Sequence, residues 1–474
     1  MVPTESGDSM KRKIIAVLAV LLAAGLIAVL AAAQYRNSHV FIDGAVYDRN
    51  AAVLDLRGTE ITAAYYDTVR AALPDCKIMW DIPFQSSFYP EDTTELTISH
   101  LSDEDAAALA YFPHLSHVDA RDCRDYDRLL ALQSQLPDCR VEYQVMLGQE
   151  RYPDDTAALT FSEADGDELL EKLRYLPRLE SVHFIQPSMA AEKLLTLREA
   201  YPAISFTWEK DIFGVTYPDS LIELDFSGQP LDGVDELEGL LAYFPSLETV
   251  VLCGCGIDNE TMAAYRDRVR GHYKVVWSVE VGKLTVRTDD TTFMPTKYKR
   301  FVQEGQLANL VYCEDMLVVD VGHKPIENLD WLYGMPHLQF LVLADTRVSD
   351  ITPIGSLKEL IYLELFKSPA IHDYSPLVGC TALQDINVAY TNGDAAVFAQ
   401  MPWLKHLWVN CTNITPEARQ LLSETLTDTV IEFDSGWHMG NGWRDLDNYY
   451  IMRDLLEMPY YDWGSKRLTG GESE

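Results

Sequence analysis

The side chains best equipped for chemistry in this chain lie between residues 316 and 414. Glu364 and Asp385 are carboxylates 21 residues apart. Phe340, Tyr362, Phe366 and Trp408 are large aromatics, and Asn387 and His406 supply further polar groups. Two carboxylates brought within a few ångströms of each other are the equipment of a glycosidase, one as acid and the other as base or nucleophile. Aromatics grouped beside carboxylates are also the composition of a binding hot spot. Which chemistry applies depends on the backbone that carries them.

Other chemical signatures are absent from the sequence or incomplete. There is no H-E-x-x-H, no G-x-S-x-G and no G-x-x-x-x-G-K-[ST]. Glu163, Asp165, Asp167 and Glu168 form an acidic cluster, but an EF-hand loop opens with aspartate and carries its glycine sixth, whereas Gly166 is fourth. A helix N-cap with an acidic first turn is the expected reading. Cys253 and Cys255 have no second pair to complete a zinc site, and no histidine pair stands at ligand spacing with cysteines, so no metal and no cofactor is expected. Cys76 and Cys139 occupy matching Leu-Pro-Asp-Cys phrases. If three strands make one unit, they lie about three strand spacings apart, on the order of 14 Å, too far for a disulfide.

The elements that position the aromatic and acidic residues are repeats. Leu338, Leu341 and Leu343 recur as Leu360, Leu363 and Leu365, then Leu383, Ile386 and Val388, then Leu404, Leu407 and Val409, at intervals of 22, 23 and 21 residues. Met316, Val319 and Val321 precede them in the same frame. This L-x-x-L-x-L pattern is that of a leucine-rich repeat, a short strand whose alternate residues enter a shared core. The ninth position holds Thr346, Ser368, Thr391 and Thr412, small polar groups suited to bonding buried backbone. Alternate residues then point away from the core: Val318, Phe340, Tyr362, Asp385 and His406 in one row, Asp320, Val342, Glu364, Asn387 and Trp408 in the next. Ala344, Phe366, Ala389 and Asn410 end a third row.

The first half repeats more slowly. Trp80, Tyr143, Trp208 and Trp277 are 63, 65 and 69 residues apart, and Leu96, Leu159 and Leu224 keep nearly the same beat. Each long unit reads as three strand-plus-helix turns, with helices such as 103–111 and 167–175. Cys123 and Cys255 fall in the small-polar slot. The stretch 285–310 is expected to be a linker or irregular repeat. After 430 the period stops, and the aromatics from Trp437 to Trp463 are read as a cap over the open end of the array.

Lys11-Arg12-Lys13 precedes twenty residues, Ile14 to Ala33, without a charged side chain. A helix of that length covers roughly 30 Å, the thickness of a bilayer core. The basic residues are expected to stay in the cytoplasm and the body to lie outside, with cleavage after the small residues Ala31–Ala33 as the alternative to an uncleaved signal-anchor. With 38 basic and 73 acidic residues, the net charge of −35 disfavours nucleic-acid partners. Sequons stand at Asn259, Asn410 and Asn413.

The stretch Leu338 to Leu360, with Asp350-Ile351-Thr352-Pro353-Ile354 in its return limb, resembles the internalin-like repeats of bacterial cell-surface leucine-rich repeat proteins. The resemblance covers about residues 316–415 well and 50–284 loosely. It implies a curved right-handed solenoid with a parallel β-sheet on the concave face, often used to grip a protein. No cell-wall sorting motif and no typical internalin cap is present, so an adhesion role does not carry over.

The expected fold is therefore α/β: a leucine-rich repeat solenoid preceded by one transmembrane helix. Its expected organisation is a cytoplasmic N-terminus 1–13, signal-anchor 14–33, linker 34–45, long-period repeats 46–284, the stretch 285–310, regular repeats 311–430 and an aromatic cap and tail 431–474. The expected function is non-enzymatic: a membrane-anchored, extracellular recognition module binding a protein or glycan through Phe340, Tyr362, Glu364, Phe366, Asp385, Asn387, His406 and Trp408. An envelope scaffold without a dedicated ligand and a carboxylate-dependent hydrolase are the alternatives.

Overall fold

The computed structural model describes residues 7–296, 302–434, 442–458, 460–462 and 467–469. Trp437 and Trp463, part of the expected aromatic cap, lie outside them. The described chain divides into two compact units, Met1–Asp211 and Ile212–Glu474.

The first unit opens with helix α1 (Gly7–Ser38). Within Lys11–Ser38 an 18-residue segment has a mean hydropathy of 3.1 and is fully exposed, so by length and composition the helix is able to cross a membrane, as an anchor or a signal sequence. A tight hairpin, His39–Ile42 with Ala45–Asp48, follows directly.

Beyond it, blocks of parallel strands alternate with amphipathic helices. In one block Glu95–Thr97, His117–Ala120 and Arg140–Leu147 pair in parallel, with helices Asp103–Ala108 and Tyr126–Gln135 between them. In the next, Ala158–Phe161, Ser181–Ile185 and Ser205–Ile212 pair likewise around Gly166–Lys172 and Ala191–Ala200. The helix starts are written locally. Ser102 and Asp105 form a reciprocal capping box. Asp165 accepts from the amides of Asp167 and Glu168, as the N-cap reading of that acidic cluster requires.

The slow beat has a cause that the leucine frame does not reveal: antiparallel hairpins separate the blocks. Asp81–Phe84 pairs back on Ser87–Pro90, and Arg140–Leu147 on Glu150–Pro153. Gly148 takes the left-handed backbone that the second of these turns needs (φ 59°). The landmarks Trp80, Tyr143 and Trp208 all pack inward, 1 %, 2 % and 1 % exposed. Tyr66 stacks on Trp80 at 4.0 Å, Tyr143 donates to the Tyr175 carbonyl at 2.8 Å, and the Arg198 guanidinium lies over Trp208.

The second unit begins with one more three-stranded parallel block, Glu223–Asp225, Thr249–Val251 and Lys274–Val276. Hairpin Ser278–Val281/Leu284–Arg287 closes it. Then comes a seven-stranded parallel sheet in sequential order. Its strands are β1 (Thr292–Phe293), β2 (Val318–Asp320), β3 (Phe340–Val342), β4 (Tyr362–Glu364), β5 (Asp385–Asn387), β6 (His406–Trp408) and β7 (Val430–Glu432). Leu341 pairs with Leu363, Leu363 with Ile386 and Ile386 with Leu407, the register that the repeat lengths predict. All four are completely buried.

The return limbs here are 3₁₀ turns, among them Asp330–Gly334, Thr352–Ser356, Ser375–Gly379 and Ala395–Gln400, which bring successive coils close. At Gly334 a Cβ would meet the Val311 carbonyl oxygen at 1.7 Å, so only glycine fits. The ninth-position side chains bond as expected. Thr346 donates to the Leu343 carbonyl at 2.9 Å, Ser368 to the same carbonyl from the next coil at 3.1 Å, and Thr412 to Val409 at 2.6 Å. In the earlier block, the Cys255 thiol reaches the Phe226 carbonyl at 3.2 Å in the same role. These features define a leucine-rich repeat fold.

The stretch 285–310, expected to be a linker or irregular repeat, contributes to the sheet and to the core of the second unit. β1 lies within it and pairs with β2, while Val302, Leu307 and Leu310 sit in the repeat core. All eight cysteines are free thiols, and among them only Cys411 is exposed.

Candidate functional site

The eight candidate residues do come together on one face of the sheet, opposite the leucine core. The face is not open. A 3₁₀ turn Trp443–Asp445 and helix α2 (Asp447–Leu455) lie across it, so that Phe340, Tyr362, Glu364, Asp385, Asn387 and Trp408 are between 0 % and 9 % exposed. The expectation that packing leaves these side chains in solvent is corrected by this covering. Phe366 is half-buried at its edge, and the His406 side chain keeps 30 % exposure.

The covering is built residue by residue. Gly442 enters with φ 89°, a left-handed conformation that turns the chain onto the sheet. The Trp443 ring then lies 4.8 Å from that of Tyr362 and meets Trp408 edge-on at 5.3 Å. Its indole Nε1–H donates to Glu364 Oε2 at 3.0 Å, and the Tyr362 hydroxyl donates to the same oxygen at 3.3 Å. In the first turn of α2, Asn448 Nδ2 donates to Asp385 Oδ2 at 2.8 Å, while Asp385 Oδ1 is 2.7 Å from His406 Nδ1. Tyr449, Met452 and Leu456 complete an apolar layer with Val318, Phe340 and Val342. Aromatic residues bury roughly 150–250 Å² each, so Trp443 and Tyr449 dominate the adhesion of this segment.

Electrostatics follow from the burial. Loss of solvent pushes the Glu364 carboxyl above its ordinary range, opposed by the Trp443 hydrogen bond and by nearby Arg444. Asp320 is raised for the same reason, opposed by the Gly322 amide, at 3.0 Å, and by the charge of Arg453. Burial also lifts the Tyr362 hydroxyl well above its usual value. Glu364 and Asp385 are thus each bonded by a side chain of the covering segment.

The eight residues share one face of the sheet, and residues 442–458 lie on that face. The aromatic C-terminal segment was expected to cover the end of the array; residues 442–458 cover its side. A signal was present. The strands of Phe340-Leu341-Val342-Leu343-Ala344 and Tyr362-Leu363 read as nearly continuous apolar runs, which mark strands buried on both faces. Of the two residues of the covering segment that bond Glu364 and Asp385, Trp443 was read only as part of the aromatic cap and Asn448 was not singled out. Asn410, in one of the sequons, is 1 % exposed and so closed to modification in the folded chain. Among the described residues, no group of three or more histidine, cysteine, aspartate or glutamate side chains is placed to hold a metal.

The parallel register and the repeat core define a leucine-rich repeat fold. No family model and no curated protein matches the chain. Among solved structures, a leucine-rich repeat protein of Leptospira interrogans is similar at 14 % identity and a TM-score of 0.27, over 81 % of this chain and 90 % of that one. An internalin of Listeria monocytogenes is 13 % identical with a TM-score of 0.24, over 82 % of this chain and 94 % of that one. An internalin C2 of the same organism is 14 % identical with a TM-score of 0.25, over 47 % of this chain and 87 % of that one. The fold assignment rests on this chain's own strand register.

Proposed function

We propose that this protein is a membrane-anchored, extracytoplasmic recognition module, a repeat solenoid whose sheet face binds a helical protein segment and is closed at rest by its own residues 442–458. The observation that carries this reading is the occupant itself. A polypeptide turn and helix sit on the face, with an indole N–H on Glu364 and a carboxamide on Asp385. A surface that holds one aromatic-bearing helix through mixed apolar and charge-assisted contacts has the chemistry to hold another. Helix α1 supplies the membrane tether, and the basic residues before it favour a cytoplasmic N-terminus. A protein ligand is favoured over a glycan because Glu364 and Asp385, which a sugar would need, are already bonded by protein side chains. The hydrolase alternative has no support at this face, where both carboxylates are covered.

Crosslinked capture from the native membrane tests the reading, comparing the intact chain with the double variant Trp443→Ala, Asn448→Ala. The double variant is expected to capture more of one protein partner, and adding Phe366→Ala or His406→Ala, at the accessible edge, to reduce that gain. Equal capture by all of these chains would overturn it.

A further inference from the structure

Hairpin His39–Asp48 has two unlike faces. Ile42 is buried, and Tyr47 bonds the Tyr65 hydroxyl at 2.7 Å, so that face is committed to the first unit. On the other face Phe41 and Val46 stand directly opposite each other across the strands, 56 % and 43 % exposed. An apolar cross-strand pair left in water contributes little to folding, at most about 1 kcal/mol.

Its position gives it a partner. The apolar stretch of α1 ends at Ala33. Tyr35 is two residues further, about 3 Å along the helix axis. The Tyr35 ring is half exposed and lies edge-on to Phe41, with centroids 6.3 Å apart. The hairpin cannot swing far, because the Arg49 amide bonds the Ser38 carbonyl at 2.8 Å and His39 stacks on Tyr35 at 4.0 Å. If α1 spans the bilayer, Phe41 therefore lies within the interfacial layer, which is roughly 5–10 Å deep. Arg36 and Arg49, exposed on either side, suit the phosphate level of that layer.

We infer that the Phe41–Val46 face of this hairpin is a second membrane contact, seated in the lipid headgroup–acyl boundary beside the end of α1. This rests on the anchoring proposed above and adds a wedge that sets how the first unit meets the membrane. Aromatic and apolar groups partition to this depth.

The test is spin-label accessibility in the full chain, reconstituted in phosphatidylcholine vesicles. Cys411→Ser and Cys253→Ser remove the more accessible thiols, and single labels are placed through Phe41→Cys and, as a second variant, Val46→Cys. Leu22→Cys and Glu104→Cys serve as bilayer and water references. Labels at 41 and 46 are expected to collide with oxygen several-fold more, relative to a water-soluble nickel chelate, than the label at 104. If they match the label at 104 while that at 22 is lipid-exposed, the inference fails and the anchor stands. If the label at 22 is itself water-exposed, both fail. Labels at 41 and 46 shielded from oxygen and chelate alike would mean a protein contact, which also overturns the lipid assignment.

Discussion

Glu364 shows how a single residue ties stability to pH in this protein. Burial holds its carboxyl above the ordinary value of 4.5. Between 4.5 and the raised value, the folded state keeps a proton that the unfolded state has released. Stability therefore falls as pH rises through that window and carries no such cost below it. Asp320, also raised by burial, adds to the same trend. Glu364→Gln keeps an acceptor without the charge. It is expected to raise the urea midpoint at neutral pH and to lose its advantage as the pH falls toward 4.5. A constant difference at every pH would contradict the assignment. A second residue-scale feature is the left-handed position after each of β2 to β6, occupied by His323, Asp345, Lys367, Tyr390 and Cys411 with φ between 55° and 60°. Lys367→Val is expected to lose about 1–2 kcal/mol relative to Lys367→Gly in denaturant titrations, because a β-branched side chain fits this backbone worst.

The element that decides what the sheet face can do is the segment 442–458. Its hold divides into ring packing and one indole hydrogen bond, and two substitutions separate them. Trp443→Phe keeps most of the packing but withdraws a donor from Glu364, for an expected loss of about 1–3 kcal/mol. Trp443→Ala removes both, for about 3–5 kcal/mol. Protease cleavage within 442–458 should become faster in that order, and an unchanged rate for the alanine variant would mean that Trp443 does not hold the segment. The strands beneath were legible because period-two alternation and a constant repeat length both specify register. The hairpins between blocks were not, although Phe88-Tyr89-Pro90, Arg151-Tyr152-Pro153 and Thr216-Tyr217-Pro218 share the slow beat. An antiparallel return of four residues leaves no mark in a leucine frame.

At the scale of the whole molecule, charge sets the solution behaviour. A net charge of −35 makes self-repulsion large, and ion pairs between exposed side chains, such as Arg57–Asp55 and Arg419–Asp434, offset little of it. In neutral detergent the thermal midpoint is expected to rise as ionic strength goes from about 10 to 150 mM and the Debye length shrinks from about 30 to 8 Å. A falling midpoint would mean that ion pairs outweigh repulsion. The sequence by itself determined the apolar N-terminal helix, the repeat frame, the ladder of small polar side chains and which residues share each face of the sheet. Each of these is written in spacing, and spacing fixes the direction a side chain takes from a regular backbone. Only the tertiary structure decided whether the outward face meets water. That depends on contacts between residues as far apart in the chain as Glu364 and Trp443, which no local period encodes.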